Sequence, residues 1–299
     1  MTMIRSRTNA HSTHSVTFYA AVIAALTITG IYLLSAPNRG STDSAATLSS
    51  PEVSPVTALN QGLSSMSMSK NKEELDEEDV DPMKITLGSV AYGGKNLPYY
   101  HCGPLPSADN PDLTELVLLH GAAFTKEDWK SSGILDMLCE INNEEDEGNL
   151  SISALDLPVS ADGNELGLAF DALTGNKILS GRAATFVSPS ASGKALVSLG
   201  EMATGGSHEL SRMIKAWIPV ASGSVLGADE STLLQYKSAN IPVFAIHGNQ
   251  DAGGVKVTKR LTDLIDAKGV ELEGRHPVYL DSPEEFVQEV MQFLDEMGL

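Results

Sequence analysis

The chain has 299 residues and a formal net charge of −19 at pH 7. That charge excludes a nucleic-acid partner, because phosphate binding needs clustered Lys and Arg to displace counterions. Two cysteines with no CxxC or Cys/His spacing exclude a disulfide framework and an ordinary zinc site, so Cys102 and Cys139 read as small buried hydrophobes.

Residues 1–15 form an N-terminal tail. From Thr8 to Asn38 there is no Asp, Glu, Lys or Arg, and Val16–Ser35 reads VTFYAAVIAALTITGIYLLS. As a helix that stretch would rise roughly 30 Å, the thickness of a bilayer's hydrocarbon core, so residues 16–36 read as a membrane-crossing signal anchor. Arg5 and Arg7 precede it and only Arg39 closely follows, which keeps the tail cytoplasmic and puts the rest of the chain in a lumenal or extracytoplasmic space. A cleaved signal or organelle-targeting peptide, giving a secreted or organellar protein, is the competing reading; Ser44-Ala45-Ala46 offers small residues for cleavage.

Residues 37–83 are Ser/Pro-rich and then acidic, with seven acidic residues among the ten from Lys72 to Asp81. Low hydrophobicity with dense like charge cannot offset the entropy of ordering, so this part reads as a flexible stalk. Residues 84–299 then carry the fold. Asn149-Leu150-Ser151 is a glycosylation sequon that matters only if the domain is lumenal.

Within 84–299, short apolar strands alternate with helical segments, the pattern of a mainly parallel sheet flanked by helices. Strands are expected at Glu115–His120, Leu150–Leu155, Ala183–Val187, Lys215–Val220 and Ile241–His247, with a weak last one at Val270–Glu273. Thr125 and Asp128 start a helix carrying Trp129, Ile134, Leu138 and Ile141. A short helix suits 165–175. Ser282-Pro283-Glu284-Glu285 opens the closing helix with an N-cap, a Pro in its first turn and a capping-box Glu. Its Phe286, Val287, Val290, Phe293 and Leu294 share one face.

In such sheets, functional groups gather at the carboxyl ends of the strands. Those ends carry His120-Gly121-Ala122-Ala123, Ser188-Pro189-Ser190-Ala191-Ser192-Gly193, His247-Gly248-Asn249-Gln250-Asp251 and Gly274-Arg275-His276-Pro277. A serine hydroxyl needs a base to take its proton, and the base needs a carboxylate to fix its tautomer; the chain order Ser, Asp, His supplies all three. Ser188–Ser192 resembles the nucleophile elbow G-x-S-x-G of the α/β hydrolases, with serines in place of both glycines. Pro189 favours an extended Ser188, ending the strand where the turn must begin.

Together LLHGAAFTKEDW, VSPSASG, IHGNQD and RHPVYLDSPEEF resemble the abhydrolase-domain-containing type fourteen family, and the resemblance covers nearly all of residues 84–299. It implies a single α/β-hydrolase domain with Ser190 as nucleophile, Asp251 as acid and His276 as base, the same three that the residues themselves suggest. The oxyanion donors would be the backbone N–H groups of Ala122 and Ala191. Two departures bear on substrate contacts: Ala123 stands where the family commonly has Arg, and the usual D-L-P-G runs here as Asp156-Leu157-Pro158-Val159.

Other polar residues read as supports. His120 and His247 are structural at their strand ends, His208 is a surface histidine, Asn249 cannot serve as a triad carboxylate, and Asp281 helps to start the closing helix. The short connections after Ser190 leave no room for a large cap domain. The expected activity is acyl-ester hydrolysis through an acyl-enzyme on an acylated small-molecule or protein substrate, with no metal or redox cofactor. The resemblance also admits acyl transfer or deacetylation onto a thiol such as coenzyme A. A non-enzymatic interaction module that keeps the fold is the rival of a different class.

Overall fold

The computed structural model describes residues 84–108, 110–144, 149–205 and 210–299. The segments 1–15, 16–36 and 37–83 and His208 lie outside the described residues. The expectation of a single-pass membrane protein is corrected: among the described residues no helix is long and apolar enough to cross a membrane, and nothing in the structure supports an anchored placement.

Eight strands form one sheet in the order β1-β2-β4-β3-β5-β6-β7-β8. The strands are β1 Thr86–Tyr92, β2 Lys95–Cys102, β3 Thr114–Leu118, β4 Leu150–Leu155, β5 Ala184–Pro189, β6 Ile214–Val220, β7 Phe244–Gly248 and β8 Lys268–Leu272. From β4 to β8 every neighbouring pair is parallel, whereas β2 runs antiparallel to both β1 and β4. Parallel strands need crossovers, and helices supply them: α1 Lys126–Ser131, α2 Ile134–Glu144, α3 Gly163–Gly175, α4 Gly193–Thr204, α5 Leu210–Met213, α6 Ser224–Gly227, α7 Glu230–Ser238, α8 Ala252–Ile265, α9 Val278–Asp281 and α10 Pro283–Met297. No large cap domain stands over the sheet among the described residues.

The inner strands β3 to β7 read as short buried runs because both faces of the sheet are covered there, whereas the edge strands β1 and β8 alternate in exposure. Side chains alternate across the plane, so in β3 Val117 packs into one core while Leu116 and Leu118 pack into the other. The first core takes Phe170 of α3, Leu196 of α4, Tyr236 of α7 and Leu261 of α8. The second takes Trp129 of α1, Leu138 of α2 and Phe293 of α10.

Three local features depart from the sequence reading. The helix expected from Thr125 through Ile141 is two helices, because Gly133 adopts φ +79° after α1 and the chain turns before Ile134. The β1–β2 hairpin was not anticipated; Gly93 (φ +51°) and Gly94 (φ +78°) close it as a two-residue turn that both positive φ values allow. At α10, Pro283 does occupy the first turn, but Ser282 makes no side-chain cap; its Oγ donates to Glu273 O at 2.6 Å.

Cys102 and Cys139 are bonded to each other rather than packed as free thiols, linking the end of β2 to α2 with Cα atoms 6.1 Å apart. Their separation of 37 residues means the bridge removes considerable freedom from the unfolded chain. Reduction, or Cys102→Ala with Cys139→Ala, is expected to lower unfolding free energy by about 2–4 kcal/mol. Urea denaturation with and without dithiothreitol measures this; equal midpoints would refute it.

Candidate active site

The chain leaves β5 through Pro189 at φ −73° and ψ 135°, and Ser190 then adopts φ +51° before a 3-10 turn, Ser190–Ser192, leads into α4. A left-handed conformation in a residue with a side chain costs about 1–3 kcal/mol and persists only where its surroundings enforce it. Here they do. The Ser188 side chain, in the position of the first elbow glycine, is fully buried and accepts from Trp217 Nε1 at 2.8 Å. The Ser192 hydroxyl, in the position of the second, donates to Pro189 O at 2.8 Å, and Ser222 Oγ donates to Ser188 O at 2.5 Å.

The small side chains of Ser188 and Ser192 suit a close approach of strand and helix. The tightest contact falls one residue later. A Cβ on Gly193 would lie 2.4 Å from Ser222 Cβ, so the glycine the turn needs is displaced from position 192 to position 193.

Asp251 caps α8, and its two carboxylate oxygens have separate duties. Oδ1 accepts from Gly253 N at 3.0 Å, and Oδ2 meets His276 Nδ1 at 2.6 Å. Gly254 leaves space for that carboxylate, since a Cβ there would stand 2.7 Å from Oδ2. Partial burial works against the ionised form of Asp251, but the His276 hydrogen bond and the Gly254 and Gly253 amides outweigh it and hold the carboxyl below its ordinary range.

A carboxylate only accepts, so Nδ1 of His276 carries the proton and Nε2 is left to accept from the Ser190 hydroxyl at 2.8 Å. The His276 side chain is half exposed and that of Asp251 is 11% exposed, so solvent reaches the imidazole while the carboxylate bonded to it is shielded.

The histidine loop is fastened to the aspartate loop by backbone contacts. Asn249 Oδ1 accepts from Gly274 N at 3.1 Å, and Gln250 N donates to Gly274 O at 2.8 Å. Gly248 permits this, because a Cβ there would come within 2.3 Å of Arg275 O. Asp281 does not cap the closing helix; it accepts from Arg275 N at 2.7 Å and grips the Arg275 guanidinium at 2.6 and 3.1 Å, bracing the residue before His276.

The loop bearing Ala122 lies against Ser190: a Cβ on Gly121 would sit 3.6 Å from Ser190 Cβ. A Phe124 N–H to Gly121 O bond of 3.1 Å closes a turn there with Ala122 and Ala123 at its centre. Ala191 follows Ser190 in the 3-10 turn. His247 is buried at the end of β7 with Nε2 3.3 Å from Glu271 Oε2. Asp156, in the altered D-L-P segment, accepts Lys126 N–H at 2.7 Å and stands 3.3 Å from Lys126 Nζ, tying the end of β4 to the start of α1. Sequence reading missed Lys126, a buried lysine whose neighbours Glu127 and Asp156 keep it charged against its burial.

No family model matches the chain. It is 31% identical over 209 residues to ABHD14A of Danio rerio, covering 65% of this chain and 70% of that protein. It is 27% identical over 225 residues to ABHD14B of Rattus norvegicus, described as a candidate protein-lysine deacylase, covering 72% and 99% respectively. Among solved structures, it is similar to a predicted CIB-like hydrolase from Thermoplasma acidophilum at a TM-score of 0.52 and 19% identity, covering 71% of this chain and 98% of that one. At that identity the likeness concerns the fold.

Two outcomes follow from the geometry. Gly193→Ala should cost about 1–3 kcal/mol in urea denaturation, since buried Ser222 cannot withdraw without disturbing its bond to Ser188 O, and Gly193→Ala with Ser222→Gly should recover part of it. The depressed folded-state pKa of Asp251 means its stabilisation is complete above the unfolded value of about 3.9 and is lost as pH falls through the lower folded value. Asp251→Asn should therefore flatten the acid limb of the stability profile, and an unchanged slope there would contradict the assignment.

Proposed function

The chain belongs to the abhydrolase-domain-containing type fourteen family, and on that footing we propose that it is an acyl-ester serine hydrolase working through an acyl-enzyme on Ser190. The observation that carries this reading is His276, which lies 2.8 Å from Ser190 Oγ through one ring nitrogen and 2.6 Å from Asp251 through the other.

Ser190 Oγ attacks the substrate carbonyl as its proton passes to His276 Nε2. Asp251, ionised and hydrogen-bonded at Nδ1, holds the ring in the accepting tautomer and stabilises the imidazolium that forms. The negative charge on the carbonyl oxygen is taken up by the Ala191 and Ala122 N–H groups. His276 then gives its proton to the departing alcohol, which leaves Ser190 acylated. In the second half, water gives up a proton to His276 as it attacks, and the proton returns to Ser190 Oγ as the acid departs.

The same acyl-enzyme would pass its acyl group to a thiol such as coenzyme A where one reaches the ester first. The description of the rat relative as a candidate protein-lysine deacylase favours keeping that acceptor, and an acylated lysine as donor, beside simple esters.

A fluorophosphonate probe should label the full chain, with the label lost in Ser190→Ala. Asp251→Asn should slow ester turnover by about 10⁴-fold, because the amide would hold the imidazole in the wrong tautomer. A folded protein that takes no label would defeat the enzyme reading in favour of an interaction module.

A further inference from the structure

The Gly121–Ala122 peptide is held from one side more firmly than a turn requires. Its carbonyl oxygen accepts twice, from Phe124 N–H at 3.1 Å and from the ring of His120 at 3.0 Å. A carbonyl cannot donate, so His120 Nδ1 bears the proton in that bond. The imidazole is buried, and its other nitrogen stands 3.8 Å from Asp156 Oδ1. Asp156 is already engaged by the amide and the ammonium of Lys126, so the ring rests against a fixed neighbour.

A trans peptide is planar, and its C=O and N–H point in opposite directions. Fixing the direction of Gly121 O therefore fixes the direction of Ala122 N–H. Turning the peptide over would break both bonds to the carbonyl and leave a buried imidazole N–H without a partner, which carries the full cost of desolvation. Because Gly121 packs beside Ser190, this peptide is placed to set a donor for charge developing on the acyl carbonyl.

We propose that His120 is a positioning residue for the reaction: its Nδ1–H bond to Gly121 O orients the Gly121–Ala122 peptide so that the Ala122 amide faces the oxyanion. This rests on the hydrolase reading above and deepens it. The bond acts on the transition state rather than on ester binding, because the carbonyl oxygen gains its charge only there. Its loss should lower kcat and leave KM unchanged.

The test compares full-length wild type, His120→Asn, His120→Gln and Ser190→Ala on p-nitrophenyl acetate, with thermal unfolding and fluorophosphonate labelling of each. Asn carries its amide nitrogen where Nδ1 lies and keeps the donor; Gln carries it where Nε2 lies and loses it. His120→Gln should lose about 10–100-fold in kcat at constant KM, less than the roughly 10²–10³-fold that follows outright removal of an oxyanion donor, while His120→Asn stays near wild type. His120→Leu, close to Asn in size and without a donor, makes the same comparison if Gln does not fold.

The proposal is overturned if His120→Gln keeps wild-type kcat, if His120→Asn falls as far as His120→Gln, or if the loss lies in KM. Unfolding of both donor-less variants beside a folded His120→Asn would assign the bond to stability alone and also overturn it. A wild type that neither turns over the ester nor takes the probe removes the hydrolase reading and this proposal together. An active wild type with an indifferent His120→Gln removes only the latter.

Discussion

Ser190 stands at φ +51° between a buried strand and a helix, and the surrounding structure is organised to keep it there. A strained backbone relaxes unless its neighbours have nowhere to go. Trp217 grips the Ser188 side chain, Ser222 holds the Ser188 carbonyl, Ser192 holds that of Pro189, and Gly193 lets Ser222 come close enough to matter. Ser192 and Gly193 belong to the turn and its helix, whereas Trp217 and Ser222 reach it from β6 and the loop that follows. The two serines in place of elbow glycines are thus not merely tolerated; each supplies a hydrogen bond that glycine would lack.

The same logic governs Asp251 and His276. His276 is carried by a loop without regular structure, where a lone histidine would sample many positions. Asn249, Gln250 and Asp281 fasten the backbone of residues 274 and 275, and Ser282 fastens residue 273, so the ring has little freedom left except about its own side-chain torsions. Asn249 cannot act as the carboxylate of a triad, yet its oxygen joins the aspartate loop to the histidine loop. Asp251 links the two requirements, since one carboxylate oxygen starts α8 and the other meets the imidazole.

What could be read from the residues alone divides along the range of the interaction. Buried parallel strands announce themselves as short apolar runs, and β4 was placed at Leu150–Leu155 from that signal. The motif residues at the strand ends were legible because each sits where a strand must stop. The β1–β2 hairpin had a local signal in Gly93-Gly94 that was passed over, and Gly133 likewise marked the break between α1 and α2. By contrast, the Cys102–Cys139 bond and the grip of Asp281 on Arg275 are tertiary events. Two cysteines 37 residues apart carry no pattern that says they meet, and Asp281 resembles any acidic residue ahead of a helix until the loop before it is in place. Ser282 shows the competition directly: it has the sequence of a cap, but the Glu273 carbonyl claims its hydroxyl. The apolar run at 16–36 lies outside the described residues, and among those described no helix is long and apolar enough to cross a membrane.

The exposure of His276 sets a further demand on the site. Excluding water strengthens every electrostatic contact, and a site whose proposed base is half exposed and which has no large cap among the described residues gains little from that source. The remaining means of stabilising an oxyanion is to have donors already aimed before charge develops, so that no reorganisation is needed as it does. That shifts the burden from enclosure to the rigidity of the loops. The doubly accepted Gly121 carbonyl, the Lys126–Asp156 tie behind it and the fastened 273–275 segment are the parts of this molecule that meet that burden. On the proposed acyl-enzyme, open access favours deacylation, since among the described residues no lid has to move for water or a bulkier acceptor to reach the ester.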